Sequence, residues 1–313
     1  MGDQNGTYRT QNGLLVCEDA LGLIGGTPLI RLARVSPPGG AMIWAKAEFL
    51  NPGGSVKDRP ALRMVEAAEE ADLLHPGSVI VEATSGNTGI SLAMIAALRG
   101  YRCVLVMPED MSLERRYLLR SYGAEIELTD ASSGMAGAVE RAKQIVEETP
   151  GAFSPSQFVN PANVESHALT TAQEVLEQVP KPFSCFVAGV GTGGTVTGVG
   201  RVLKQQLGSA VHIVAVEPER SAVLSGGKPG LHGIQGLGAG FVPEILDRSV
   251  IDEILTVGDV PAEKMAQRLA YEEGLLVGPS AGANVFAACV LATRLGGGNV
   301  VTVLCDTGER YLF

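Results

Sequence analysis

Short, nearly uninterrupted apolar runs alternate with amphipathic stretches along most of the chain, and this alternation limits the possible folds more than any other feature. The apolar runs fall at 42–46, 79–81, 103–107, 185–188, 213–216 and 300–304. Between them lie amphipathic stretches such as 61–71, 112–122, 136–148 and 262–273. A strand that is apolar on both sides must be covered on both faces, as parallel strands joined by crossover helices are. The pattern predicts an α/β protein. Proline and asparagine cluster at 155–161, where the cycle stops before it restarts. We therefore read two lobes, each an open, mostly parallel sheet flanked by helices. The smaller lobe spans 49–160, and the larger one combines 1–48 with 161–313.

Charge and cysteine usage exclude several classes of function. With 24 basic and 34 acidic side chains the net charge is −10, which disfavours nucleic acid and anionic membranes as partners. Any anion must then be held by local donors. The five cysteines form no Cys-x-x-Cys pair and mostly sit in apolar stretches, as buried thiols of a reducing compartment do. The four histidines have no paired spacing, so no metal site is expected. No apolar run approaches the ~20 residues of a membrane span, and Met1-Gly2-Asp3-Gln4-Asn5 has no basic-then-apolar signal. The expected location is the cytoplasm.

Ligands of open α/β sheets sit beyond the carboxyl ends of the strands, and four loops there carry unusual residues. Asn51-Pro52-Gly53-Gly54-Ser55-Val56-Lys57-Asp58-Arg59 opens a helix, and the Ser55/Asp58 spacing predicts a capping box. Lys57 then lies in the first helical turn, where the dipole disfavours an ammonium. That suits a lysine that reacts as a neutral amine; the plainer alternative is a solvated lysine on a capped helix. Thr84-Ser85-Gly86-Asn87-Thr88-Gly89 follows the 79–81 strand and precedes a helix at 90–98. Its hydroxyls and helix-start N–H groups suit a carboxylate, although one such residue would suffice as a plain cap. Gly189-Val190-Gly191-Thr192-Gly193-Gly194-Thr195 follows the 185–188 strand and offers a phosphate cradle. It also satisfies a dinucleotide fingerprint, with Glu217 placed as a ribose-binding acid. Gly278-Pro279-Ser280-Ala281-Gly282-Ala283 lies between an expected strand at 275–277 and a helix at 284–295; alone, Ser280 reads as a cap.

Taken together the loops discriminate. A nicotinamide-dependent oxidoreductase needs the third loop but gives no role to Lys57 or Ser280. A pyridoxal-phosphate enzyme uses all four: a lysine for the Schiff base, a glycine-threonine loop for the phosphate, a threonine-serine loop for the substrate carboxylate, and a polar group facing the pyridine nitrogen.

With these loops the sequence resembles the cysteine synthase (O-acetylserine sulfhydrylase) and cystathionine β-synthase family, of the tryptophan-synthase-β fold type. The resemblance runs from Ile24-Gly25-Gly26-Thr27-Pro28-Leu29 through Gln157-Phe158-Val159-Asn160-Pro161-Ala162-Asn163 to Gly308-Glu309-Arg310-Tyr311-Leu312. It implies that Lys57 is the Schiff-base lysine and moves the α-proton. It also implies that Asn87 bonds the cofactor's ring hydroxyl oxygen, that Gly191, Thr192, Gly193, Gly194 and Thr195 hold the phosphate, and that Ser280 faces the pyridine nitrogen. Thr84, Ser85, Gly86, Thr88 and Gln157 would grip the substrate carboxylate. On this basis the 49–160 lobe is the mobile, substrate-binding one and the larger lobe binds the cofactor phosphate.

The implied reaction is β-replacement, O-acetyl-L-serine and sulfide giving L-cysteine and acetate. A neutral Ser280 stabilises a charged pyridine ring poorly, so loss of the α-proton should be coupled to departure of the β-substituent. That favours elimination over racemisation or transamination. The family implies a homodimer and a possible partner, the C-terminal peptide of serine acetyltransferase. Gly233, Ala281, the Ala172-Gln173 pair and Ala83 depart from the residues common in cysteine synthases. They bear on the leaving group and the nucleophile, and keep serine with homocysteine, or O-phosphoserine, as alternative substrates.

Overall fold

The computed structural model describes residues 7–9 and 15–312. The strands are β1 (Thr7–Arg9), β2 (Leu15–Cys17), β3 (Leu29–Arg31), β4 (Met42–Ala47), β5 (Val79–Ala83), β6 (Arg102–Pro108), β7 (Glu125–Thr129), β8 (Ala152–Phe153), β9 (Phe183–Gly189), β10 (His212–Pro218), β11 (Glu253–Val257) and β12 (Asn299–Leu304). The α-helices are α1 (Asp58–Glu70), α2 (Asn87–Arg99), α3 (Leu113–Ser121), α4 (Gly134–Glu148), α5 (Pro161–Ser166), α6 (Ala172–Gln178), α7 (Gly194–Leu207), α8 (Asp259–Arg268) and α9 (Pro279–Leu295). Every apolar run singled out in the sequence is a strand. The chain forms two compact units, one of Met1–Ile24 with Lys57–Ala162 and one of Gly25–Val56 with Asn163–Phe313.

The first unit holds a four-stranded parallel sheet in the order β7-β6-β5-β8. Alternate residues of its strands feed opposite faces. Ile80, Cys103, Leu105 and Met107 pack with α1, α2 and α3, whereas Val79, Val81, Val104 and Val106 pack on Ala138 and Ala142 of α4. The runs are apolar throughout because both faces are covered.

The second unit holds a six-stranded sheet in the order β11-β10-β9-β12-β4-β3, parallel except for the edge strand β3. One face packs Val187, Val214, Val216 and Val300 against α8 and α9. The other packs Phe186, Ala188, Ile213 and Val301 against α6 and α7. Gly282 lets α8 and α9 approach closely, since a Cβ there would lie 2.1 Å from the Ala262 carbonyl oxygen. The Gly25-Gly26-Thr27 stretch has an anchoring role. Its N–H groups donate to Asn51 Oδ1 (2.8 Å) and Glu174 Oε1 (3.0 Å), and Thr27 Oγ1 donates to Glu48 Oε1 (2.8 Å). Fully buried Lys46 donates to the Thr27 carbonyl and pairs with Glu174 at 2.5 Å.

Three local expectations need correction. Ser55 is not the N-cap of α1 that the capping-box spacing predicts. Ser55 is buried in an antiparallel bridge with Asp306, Asp58 accepts from Ser91 Oγ at 2.5 Å, and the N-cap of α1 is Lys57 itself. Residues 275–277 make one bridge, Val277 to Thr307, rather than a strand. The bridge is made by the Gly278 N–H to Asp306 O and the Gly308 N–H to Leu276 O, and it extends no further because the Leu275 N–H turns back to the Leu269 carbonyl and Pro279 begins α9. Helices α2 and α9 begin earlier than expected, at Asn87 and Pro279. Proline at the first helical position is pre-set for a helix start, so Ser280 lies inside the first turn.

Among the described residues no helix is long and apolar enough to cross a membrane, and no group of His, Cys, Asp and Glu could hold a metal ion. Burial pushes the thiols of Cys103 and Cys185 up to about 12. Both should stay protonated at neutral pH, and the reactive form is the thiolate. A thiol reagent applied to the native protein, with mass-spectrometric mapping, is expected to mark the half-buried Cys17 and to spare these two. Equal labelling of all three would contradict their enclosure.

Candidate active site

Each unit holds some of the predicted site residues. In the first unit, Lys57 is the half-buried N-cap of α1, and its carbonyl accepts the Ala61 N–H at 3.0 Å. Its neighbour Asp58 is fully buried and takes the Ser91 hydroxyl of α2; the same Ser91 oxygen lies 3.0 Å from the Asn87 carbonyl. This junction holds the start of α1 against the start of α2, and so brings Lys57 and the 84–89 loop into one region. The N-cap of α2 is Gly86, which has no side chain to cap with, so the helix start keeps its positive end for an anion. Thr84 Oγ1 accepts the Gly86 N–H at 3.2 Å. Buried Thr88 donates to Gln157 Oε1 at 2.7 Å. Gln157, distant in sequence, thereby joins Thr84, Ser85, Gly86 and Thr88 around one helix terminus.

In the second unit the loop after β9 turns sharply into α7. Gly193, the N-cap, has φ +85°, a backbone state open to glycine. A Cβ on Gly191 would lie 2.3 Å from the Gly236 carbonyl oxygen, and one on Gly194 would lie 2.0 Å from Asn163 Oδ1. The 236 segment also reaches Ser280, because a Cβ on Gly236 would lie 3.8 Å from the Ser280 Oγ. Thus Gly191–Thr195 and Ser280 sit on either side of one glycine-rich strip.

Two threonine hydroxyls of this loop have donors or partners behind them. Thr192 Oγ1 accepts from Asn163 Nδ2 at 3.0 Å and from the Gly194 N–H at 3.3 Å. With its lone pairs engaged, its own hydrogen is directed to a further acceptor. Thr195 Oγ1 lies 3.2 Å from His167 Nε2, and His167 Nδ1 lies 2.9 Å from Thr171 Oγ1. Asn163 and His167 carry no role in the sequence reading. Their spacing of four, on the segment after the Pro161 turn, was the available signal for one shared helical face.

The cradle fits a phosphate monoester: a helix start without a side-chain cap, glycines where a Cβ would clash, and the Thr192 hydroxyl set to donate. It does not support the dinucleotide alternative. Glu217 is buried and its carboxylate already accepts the Leu224 N–H (2.7 Å), the Ser225 N–H (2.9 Å) and the Ser225 hydroxyl (2.5 Å). Buried and held by these three donors, it staples the following loop instead of presenting its carboxylate to a ribose.

The sequence model described as pyridoxal-phosphate-dependent enzyme matches residues 20–306. The chain belongs to this family. Family membership fixes pyridoxal phosphate as the cofactor and excludes the nicotinamide alternative. The chain is 53% identical over 292 residues to a cysteine synthase of Staphylococcus aureus (strain Mu50 / ATCC 700699), covering 93% of this chain and 94% of that one. Among solved structures, an O-ureido-L-serine synthase matches with a TM-score of 0.92 at 46% identity, covering 95% of this chain and 94% of the other. A cysteine synthase (OASS) from Entamoeba histolytica matches with a TM-score of 0.91 at 41% identity, covering 95% and 89%. This pyridoxal-phosphate-dependent enzyme therefore has the two-sheet α/β fold of its family.

Proposed function

We propose that the chain makes L-cysteine and acetate from O-acetyl-L-serine and sulfide. The observation that carries this is the 53% identity to a cysteine synthase over nearly the full length of both chains. Bound pyridoxal phosphate supplies an electron-withdrawing ring conjugated to the substrate's α-carbon. The residues divide the remaining work. Lys57 Nζ would hold the cofactor through its aldehyde carbon and, once the substrate's amine has displaced it and left it a free amine, would hold the α-proton. Gly191, Thr192, Gly193, Gly194 and Thr195 hold the phosphate, and Asn87 bonds the ring hydroxyl oxygen. Thr84, Ser85, Gly86, Thr88 and Gln157 hold the substrate carboxylate. Ser280, a neutral hydroxyl, would hold the ring nitrogen without the support for full charge that a carboxylate would give. Loss of the α-proton is thereby tied to departure of the β-substituent.

The same reading extends to a homodimer in the cytoplasm, with the C-terminal peptide of serine acetyltransferase as a partner. The O-ureido-L-serine synthase match favours one second reading, in which a nucleophile other than sulfide reaches the same β-carbon. A substrate panel separates the readings. O-acetyl-L-serine, O-phospho-L-serine and L-serine are each supplied with sulfide or homocysteine, and the products are resolved by mass. Cysteine from O-acetyl-L-serine and sulfide is expected as the fastest reaction. Turnover confined to serine with homocysteine would overturn the assignment.

A further inference from the structure

Strand β5 stops pairing with β8 at Ile80 and Phe153. Beyond Phe153 the chain leaves the sheet, and the Ser154 hydroxyl and the N–H groups of Ser156 and Gln157 need acceptors that a neighbouring strand no longer provides. Glu82, two residues further along β5, supplies them from its side chain. Its Oε2 accepts the Ser156 N–H at 2.9 Å and the Ser154 hydroxyl at 3.3 Å, and the Gln157 N–H also donates to the carboxylate. Glu82 is buried, and burial pushes its carboxyl up while these three donors pull it back.

A buried carboxylate is a costly anchor for an ordinary loop. Ser156 adds to the cost, since it sits at φ +53°, a left-handed state that serine adopts only when held. All three donors come from the stretch that ends at Gln157, whose Oε1 takes the Thr88 hydroxyl at the start of α2. We propose that Glu82 is a positioning residue for the substrate carboxylate, locking the 154–157 turn so that Gln157 is presented to the Thr84–Thr88 loop. The inference rests on the carboxylate-binding role given to that loop and Gln157 above.

The test compares the holoenzyme with its Glu82→Gln, Gln157→Ala and doubly substituted forms. Glutamine keeps the volume, but its terminal amide brings N–H donors to a place that needs acceptors only. The probe is L-alanine, which carries the carboxylate and no leaving group, with binding read from the cofactor's visible absorbance. Gln157→Ala is expected to weaken L-alanine by ~10-fold, the effect of one lost hydrogen bond to a charged group. Glu82→Gln should weaken it to a similar degree. The double form should be no weaker than Gln157→Ala, because both act through the same contact. With the true donor, KM should rise while kcat changes less than about twofold, as for lost ground-state binding.

Additive effects, or wild-type binding by Glu82→Gln, would reduce Glu82 to a fold anchor and overturn the proposal. Wild-type binding by Gln157→Ala would remove the carboxylate site and the inference together. If the substrate panel instead rejects O-acetyl-L-serine, the L-alanine result still stands on its own. Should Glu82→Gln fail to fold, Glu82→Asp takes its place in the same cycle; it keeps the charge but is too short to reach the turn.

Discussion

Replacing Lys57 with alanine is expected to lower turnover by ~10³-fold or more, since both the covalent attachment and the proton transfer are lost. The fold should survive. Lys57 serves α1 through its backbone, whose carbonyl bonds the Ala61 N–H, and its side chain makes no capping bond to the helix. Alanine offers the same backbone, and the Asp58–Ser91 bond that seats α1 on α2 is untouched. Lys57→Arg is the sharper control. It keeps a long cationic side chain, yet a guanidinium stays protonated and cannot act as a neutral amine, so it should be as inactive as alanine. Borohydride reduction of the wild-type holoenzyme, followed by peptide mass mapping, should find the cofactor joined to Lys57. Near-normal catalysis by either variant, or an adduct on another side chain, would end the assignment.

How much of this was legible in the sequence depended on the range of the interactions. The central strands could be read because a sheet covered on both faces demands unbroken apolar runs, as in Val300 to Leu304 of β12, which is buried throughout. Short or peripheral elements could not. β3, β7, β8 and β11 are mostly half-buried or exposed, and none carries the long unbroken apolar run by which the central strands were read. The Ser55/Asp58 spacing put the start of α1 two residues too early: the N-cap is Lys57, while Ser55 lies in a bridge with Asp306 and Asp58 takes the Ser91 hydroxyl. The same rule holds in the site. Lys57, the 84–89 loop, Gly191–Thr195 and Ser280 stand out because each lies where a helix begins after an apolar run. The residues behind them do not. Glu82 reads as an interruption in an apolar strand, and Asn163 and His167 read as polar residues of a helix. Their roles exist only once the chain has brought them to Ser156, Thr192 and Thr195. Glu217 shows the converse. Its spacing suited a ribose-binding acid, and only the folded loop at Leu224 and Ser225 shows that its carboxylate is buried against three local donors.

The second large effect should come from one methyl group. Gly191→Ala places a Cβ 2.3 Å from the carbonyl oxygen of Gly236, far inside contact distance, and the obstacle is backbone rather than a side chain that could swing away. Either the 191–195 turn or the 236 strip must shift. The first movement turns the N–H donors away from the phosphate, and the second displaces the segment that borders Ser280. Each charge-assisted bond lost is worth roughly 1.5–3 kcal/mol, so losing one should weaken pyridoxal phosphate by ~10-fold or more and losing two by ~100-fold or more. Titrating the apoprotein with the cofactor, followed by absorbance, measures this directly. Gly297→Ala is the matched control, because a Cβ there meets nothing within 4 Å; it should bind as the wild type does. The thermal midpoints of the two apoproteins separate cradle damage from general unfolding. The cradle account predicts a wide gap in cofactor affinity between two proteins of similar apo stability. Equal affinity would mean that the phosphate rests somewhere other than on the main chain at 191–195.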